Sequence, residues 1–111
     1  MFTKHSDAGY VNPLPGVERR TLVHGAKMLM TEFRFRKGST LPLHTHPHEQ
    51  AGYLVSGHLR LTVDDRDLEV MPGDSYCIAG GIEHGAYVVE DSVVVEVFSP
   101  VREDYLPGRL P

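Results

Sequence analysis

The strongest constraint in this chain is an alternation of side-chain character with period two. Leu29, Thr31, Phe33 and Phe35 alternate with Met30, Glu32, Arg34 and Arg36. Alternation of that kind marks a strand with one face buried and the other in water. Further strands are expected at about 40–46, 49–56, 58–64, 67–71, 74–79, 84–90 and 92–98. Gly57, Asp64-Asp65, Pro72-Gly73 and Gly80-Gly81 punctuate them, and these are residue types that turns favour. Several short strands with regular turn signals predict an all-β sandwich or barrel. No helix of useful length is expected, because the best window, around 101–106, is short and runs into Pro107.

The first 20 residues carry Gly9, Pro13, Pro15 and Gly16. They read as an irregular N-terminal arm (1–20) with room for one short strand, followed by the barrel (21–111). A length of 111 residues sets the expectation at one domain.

Charge excludes some functions. Eleven Lys and Arg against 15 Asp and Glu give a net charge of -4. Nucleic-acid binding needs a clustered basic face. The densest basic group, Arg34, Arg36 and Lys37, is broken by Phe35 and reads as a solvated strand end. No stretch approaches the roughly 18–20 apolar residues of a spanning helix, and residues 1–7 contain no apolar run that would mark a signal peptide. No nucleic-acid or membrane partner is expected, and the cytoplasm is the expected compartment. The single cysteine, Cys77, excludes a disulfide within the chain. Between Tyr76 and Ile78 it reads as a small core residue.

Histidine is the unusual residue here. The chain has seven, and His44, His46 and His48 fall within five positions. On an extended segment, residues 44, 46, 48 and 50 share one face. Two imidazoles spaced this way can converge on one point, as metal ligands must, and Gln50 can add its carbonyl oxygen. Glu49 falls on the opposite face. His84, beyond the Gly80-Gly81 turn, can be brought opposite by a barrel hairpin. Three neutral imidazoles and a neutral amide leave the +2 charge of an ion uncompensated, which makes a strong Lewis acid. Nitrogen and oxygen ligands suit Ni, Zn, Fe, Mn or Co. A pair of surface histidines has the same spacing. His5, His24 and His58 read as ordinary surface or loop residues.

Near the C-terminus, Val93, Val95 and Val97 form one face of a strand, and Val94, Glu96 and Phe98 form the other. A carboxylate among such neighbours is costly to bury and has its pKa raised when it is. If this face points inward, Glu96 can serve as a general acid or base. Arg102 can then pair with Glu96 or with an anionic substrate. The alternative is a solvated edge, with Arg102 in a surface pair.

Gly38-x5-His44-x-His46-x3-Gln50-x6-Gly57 resembles the first cupin motif, with Gln50 where Glu is usual. Gly73-x5-Ala79-x-Gly81-x2-His84 resembles the second, with Ala79 for Pro and Val88 for a frequent Asn. The resemblance implies a single-domain cupin, a double-stranded β-helix or jelly-roll barrel, commonly a homodimer. It implies one divalent metal ion held by His44, His46, Gln50 and His84. The apolar face of Val93, Val95 and Val97 needs cover, from a second sheet layer or from a partner chain.

His44 to Gln50, together with Glu96-Val-Phe98-Ser-Pro-Val-Arg102-Glu-Asp-Tyr, is similar to a narrower group of cupins. These convert 4,5-unsaturated uronates, left by pectate and alginate lyases, to linear keto-sugars. That likeness implies a sugar pocket with Phe98 and Arg102, and a catalytic carboxylate at Glu96 where the group has Asp. The leading expectation is therefore a metal-dependent isomerase or lyase-like enzyme acting on a small anionic sugar. A dioxygenase-type metal cupin, a non-catalytic ligand-binding cupin and a purely structural barrel are the alternatives.

Overall fold

The computed structural model describes residues 1–107. The strands are β1 (Val11–Leu14), β2 (Val17–His24), β3 (Leu29–Phe35), β4 (Thr40–His44), β5 (Glu49–Val63), β6 (Arg66–Val70), β7 (Ser75–Ile78) and β8 (His84–Ser99). A 3-10 turn, Glu103–Tyr105, follows β8. Among the described residues there is no α-helix. Positions 108–111 of the expected barrel lie outside the described residues.

β5 and β8 pair antiparallel from Glu49↔Ser99 to Val63↔His84. At one end of this ribbon β3 lies beside β8 and β7 beside β5. At the other end β4 lies beside β8 and β6 beside β5. Each long strand thus serves two sheet layers, β2-β3-β8-β5-β7 and β4-β8-β5-β6. Between them lies one core. Phe33, Leu54, Ile78 and Val94 come from the first layer, and Leu59, Leu61, Val70 and Val88 from the second. This is the all-β single-domain barrel that the alternation predicts. In β3 the burial follows it residue by residue, with Leu29, Thr31, Phe33 and Phe35 buried and their neighbours outward.

Three details differ from the sequence reading. The segments 49–56 and 58–64 form one strand, and 84–90 and 92–98 form another. Gly57 is a bulge, not a turn: the register between β5 and β8 shifts there, and φ is +101°. A Cβ at Gly57 would clash with Ser92 Oγ and the Asp91 carbonyl oxygen. Glycine is therefore required both by φ and by the close approach of β8. Secondly, the N-terminal arm contains β1 and the start of β2, and Val17 is fully buried. Its Pro13 is tolerated because β1 is an edge strand. Thirdly, Cys77 is exposed. Parity on β7 turns Tyr76 and Ile78 inward, so Cys77 must face out.

Gly57→Ala should lower stability by about 1–3 kcal/mol, the usual cost of a residue held in a disfavoured backbone region, with the clash added. Urea unfolding measures this, and an unchanged midpoint would show that the bulge relaxes freely.

Candidate metal centre

His44 ends β4 and is the register partner of His84, the first residue of β8. His46 lies in the short connection to β5. That connection is fixed by Gly81, whose N–H donates to the His46 carbonyl at 2.8 Å. Candidate ligand nitrogens of His44, His46 and His84 lie within 4.8 Å of one another. Gln50, second in β5, points inward and is buried, whereas Glu49 is exposed. Strand parity thus separates them as expected.

Backbone carbonyls set the histidine tautomers. Nδ1 of His44 lies 2.8 Å from the Pro42 carbonyl oxygen, and Nδ1 of His84 lies 2.8 Å from that of Ile82. A carbonyl only accepts, so each Nδ1 carries the proton and each Nε2 keeps a lone pair. This is the arrangement by which metal-binding histidines are usually oriented. His84 Nε2 is buried and has no hydrogen-bond partner among the described residues. His46 Nε2 lies 2.9 Å from Gln50 Oε1, which only accepts, so here Nε2 carries the proton and the buried Nδ1 keeps the lone pair. Burial first, then the charge of Arg102, lowers the His46 pKa to about 4. Burial is also the main cause of a lowered His84 pKa. Both rings are therefore neutral at neutral pH, as coordination requires. An orphaned buried lone pair among neutral imidazoles fits a divalent cation. His48 does not belong to the group of three, although its ring centroid lies 5.6 Å from that of His46.

A buried acid adjoins the histidines. Glu96 is only 5% exposed, and Val94 and Phe98 are buried with it on the inner face of β8. Its Oε2 accepts from Gln50 Nε2 at 2.6 Å and from the Tyr76 hydroxyl at 2.7 Å. Burial pushes the Glu96 pKa up, while those two hydrogen bonds and the charge of Arg102 pull it down. Burial, then the neighbouring carboxylate, raises Tyr76 well above its usual value, so it stays a neutral donor.

Arg102 does not pair with Glu96. It binds Asp104 instead, with Nη2 at 2.8 Å and Nε at 3.2 Å. Its guanidinium lies 4.0 Å from the ring centre of Tyr105 and 5.1 Å from that of Phe98. A cavity of about 80 Å³ is lined by His44, Gln50, His84, Glu96, Phe98 and Arg102, together with Tyr76 and Tyr105. His46 stands to one side, its ring centre 4.8 Å from that of His84 and 5.8 Å from that of Phe98. All seven residues singled out in the sequence thus gather at one end of the barrel. Sequence reasoning missed Tyr76 and Tyr105. Parity on β7 could have found the first. The second arrives on a 3-10 turn, for which the sequence carries no periodic signal.

A model of the cupin domain matches residues 31–99. The chain belongs to the cupin family. This cupin is 28% identical, over 82% of its length and 84% of the relative's, to the pectin degradation protein KdgF of Dickeya dadantii (strain 3937). Its fold superposes on the structure of KdgF from a Halomonas species with a TM-score of 0.90, at 29% identity, covering 96% of this chain and 98% of the other. An RmlC-like cupin from Shewanella frigidimarina NCIMB 400 superposes with a TM-score of 0.89, at 27% identity and 95% coverage of both chains. The matched domain includes the three histidines, Gln50, Glu96 and Phe98, while Arg102 lies just beyond it.

Calorimetric titration with Ni or Zn should give one site per chain. His84→Ala should weaken it by about 10²-fold or more, since it removes a ligand outright where loss of an outer partner alone costs 10–100-fold. His48→Ala should leave affinity within a few-fold. Undiminished binding in His84→Ala would move the site elsewhere.

Proposed function

We propose that this cupin holds one divalent ion, drawn from Ni, Zn, Fe, Mn and Co, through His44, His46, Gln50 and His84, and opens the ring of 4,5-unsaturated uronates to give linear keto-sugars. The observation that carries the reading is the buried Glu96 carboxyl beside the histidine group, in a cavity whose rim holds the Arg102 guanidinium. Similarity to pectin degradation proteins along most of the chain supports the substrate class.

Bound by neutral ligands, the ion supplies Lewis acidity at an oxygen of the substrate. The chain's own residues do the rest. Arg102 binds the uronate carboxylate through the guanidinium N–H groups that its pair with Asp104 leaves free, and Phe98 packs against the sugar. The reaction is an isomerisation. The anomeric hydroxyl loses its proton, the bond from the anomeric carbon to the ring oxygen breaks to leave an aldehyde, and the enolate so released takes a proton at carbon 4 to become a ketone at carbon 5. Glu96 moves that proton. Burial raises the Glu96 pKa, the direction in which a carboxyl becomes better able to return a proton it has taken. No oxidant is consumed, which separates this reading from oxygen chemistry.

A homodimer belongs to the same reading. Val93, Val95 and Val97 are half-exposed on the outside of β8, and Tyr53 and Val55 on β5 are exposed nearby. Elution at monomer size in gel filtration would count against pairing. Among the described residues no helix is long and apolar enough to cross a membrane.

With unsaturated galacturonate or guluronate, absorbance of the 4,5 double bond should fall quickly with the metal-loaded protein and stop on chelation. Glu96→Gln should cut kcat by about 10²–10⁴-fold, the usual worth of a positioned acid–base group. Arg102→Ala should chiefly raise KM. Stoichiometric metal with no loss of absorbance on either sugar would overturn the uronate reading. Oxygen uptake and ligand-binding assays would then separate the dioxygenase and binding alternatives.

A further inference from the structure

Glu96 has two donors and both sit on the same oxygen. Gln50 Nε2 and the Tyr76 hydroxyl bind Oε2, and Oε1 accepts no hydrogen bond among the described residues. The carboxylate is thus pinned by one oxygen, with the other left for the cavity that Glu96 lines.

The pin depends on a gap in the sheet. Gly52 on β5 is the register partner of Tyr76 on β7 and of Glu96 on β8. The three positions form one row across three strands, and side chains in such a row point to the same face. A tyrosine and a glutamate two strands apart are separated by roughly 9–10 Å of sheet, twice the spacing between neighbouring strands. They meet because the central residue has no side chain. A Cβ at Gly52 would fall on Tyr76, overlapping its Cζ and coming within 2.5 Å of its hydroxyl oxygen. The phenol lies across the glycine and ends on the carboxylate. Gly52 itself is not in the left-handed region, so the close passage of the ring is what requires glycine here.

We propose that Tyr76, admitted by Gly52, is a positioning residue. Its hydroxyl fixes Glu96 by Oε2 and so reserves Oε1 for proton transfer in the cavity. The catalytic part of this inference rests on the uronate reading above, and the pinning itself does not.

Tyr76→Phe keeps the ring over Gly52 and deletes only the hydroxyl. In the zinc-loaded protein, selective labelling gives the Glu96 carboxyl carbon resonance, identified by its loss in Glu96→Gln. At pH 8 that resonance should move in Tyr76→Phe, with metal content unchanged and Tm lowered by a few degrees, since a buried carboxylate loses a donor. Turnover of the unsaturated uronate should fall about 10- to 100-fold, the scale of a hydrogen bond to a charged group, with KM within about twofold. In the Glu96→Gln background the same substitution should cost nothing further, because non-additivity marks groups that act as a unit. Gly52→Ala, which displaces the ring, should move the resonance as well. An unmoved resonance in Tyr76→Phe would overturn the pin, whatever the substrate. A moved resonance with full turnover would overturn its catalytic consequence. If the wild-type protein turns over neither sugar, the uronate reading fails, and the resonance alone decides the pin.

Discussion

The architecture depends on the antiparallel ribbon of β5 and β8, and on its ability to fold back on itself. From Gln50 to Val63 a straight strand would run roughly 43 Å, more than the longest dimension of the molecule, 35 Å. Gln50 pairs with Phe98 at one end, and Val63 pairs with His84 at the other. Yet Gln50 and His84 line one cavity. The ribbon must therefore bend sharply, and it does so where Gly57 crosses Ser92. The local hydrogen bonds survive because Ser92 Oγ accepts from the His58 N–H at 3.0 Å and donates to the Glu90 carbonyl at 2.7 Å. A single glycine, far from the histidines along the strand, is what lets residues from both ends of the ribbon meet.

That dependence explains which features could be read from the sequence. Strand parity is a local property, and it holds wherever the backbone stays extended. It turned Leu29 to Phe35 correctly, placed Gln50 inward and Glu49 outward, and grouped Glu96 with Val94 and Phe98, a face that parity alone left either buried or solvated and that the fold buries. It applied equally to Cys77, where the small-core habit of cysteine pointed the wrong way and the alternation of Tyr76 and Ile78 pointed the right way. What could not be read is whether a glycine ends a strand or bends it. Gly57 has the composition of a turn. Only the approach of Asp91 and Ser92, more than thirty residues on, makes it a bulge. Arg102 fails for a similar reason. Its partner is two residues away in a 3-10 turn, and a carboxylate that close satisfies the guanidinium before Glu96 can.

The polar interior forms one connected series, from His46 through Gln50 and Glu96 to Tyr76. Each link restricts the next. Glu96 accepts, so the Gln50 amide must turn its NH₂ toward β8, which aims Oε1 at His46. Amide orientation is normally an ambiguous assignment, but here the carboxylate leaves one choice. The proton donor at one end and the candidate ligand oxygen at the other are therefore fixed by a single side chain. Such a network is worth keeping only when every member is satisfied. The buried atoms left without partners, Nδ1 of His46 and of His48 and Nε2 of His84, lie on the histidine side of Gln50.

The amide at position 50 also decides what charge Glu96 can carry. The sequence resembles a motif in which Glu is usual at this place. A carboxylate there would stand about where Gln50 Nε2 now lies, 2.6 Å from Glu96 Oε2. Two carboxylates at that distance cannot both ionise, and one would keep a proton it could not give up near neutral pH. Gln50 replaces that repulsion with a donated hydrogen bond and still presents an oxygen toward the histidines. In the proposed metal site the exchange would remove an anionic ligand and leave the ion its full charge. At Glu96 it supplies one of two donors on one oxygen, which oppose the rise in pKa that burial causes. Gln50 and Glu96 thus form a matched pair in the proposed site: the neutral amide would sharpen a Lewis acid and, standing where a second carboxylate is usual, would leave the neighbouring carboxyl able to act as a base.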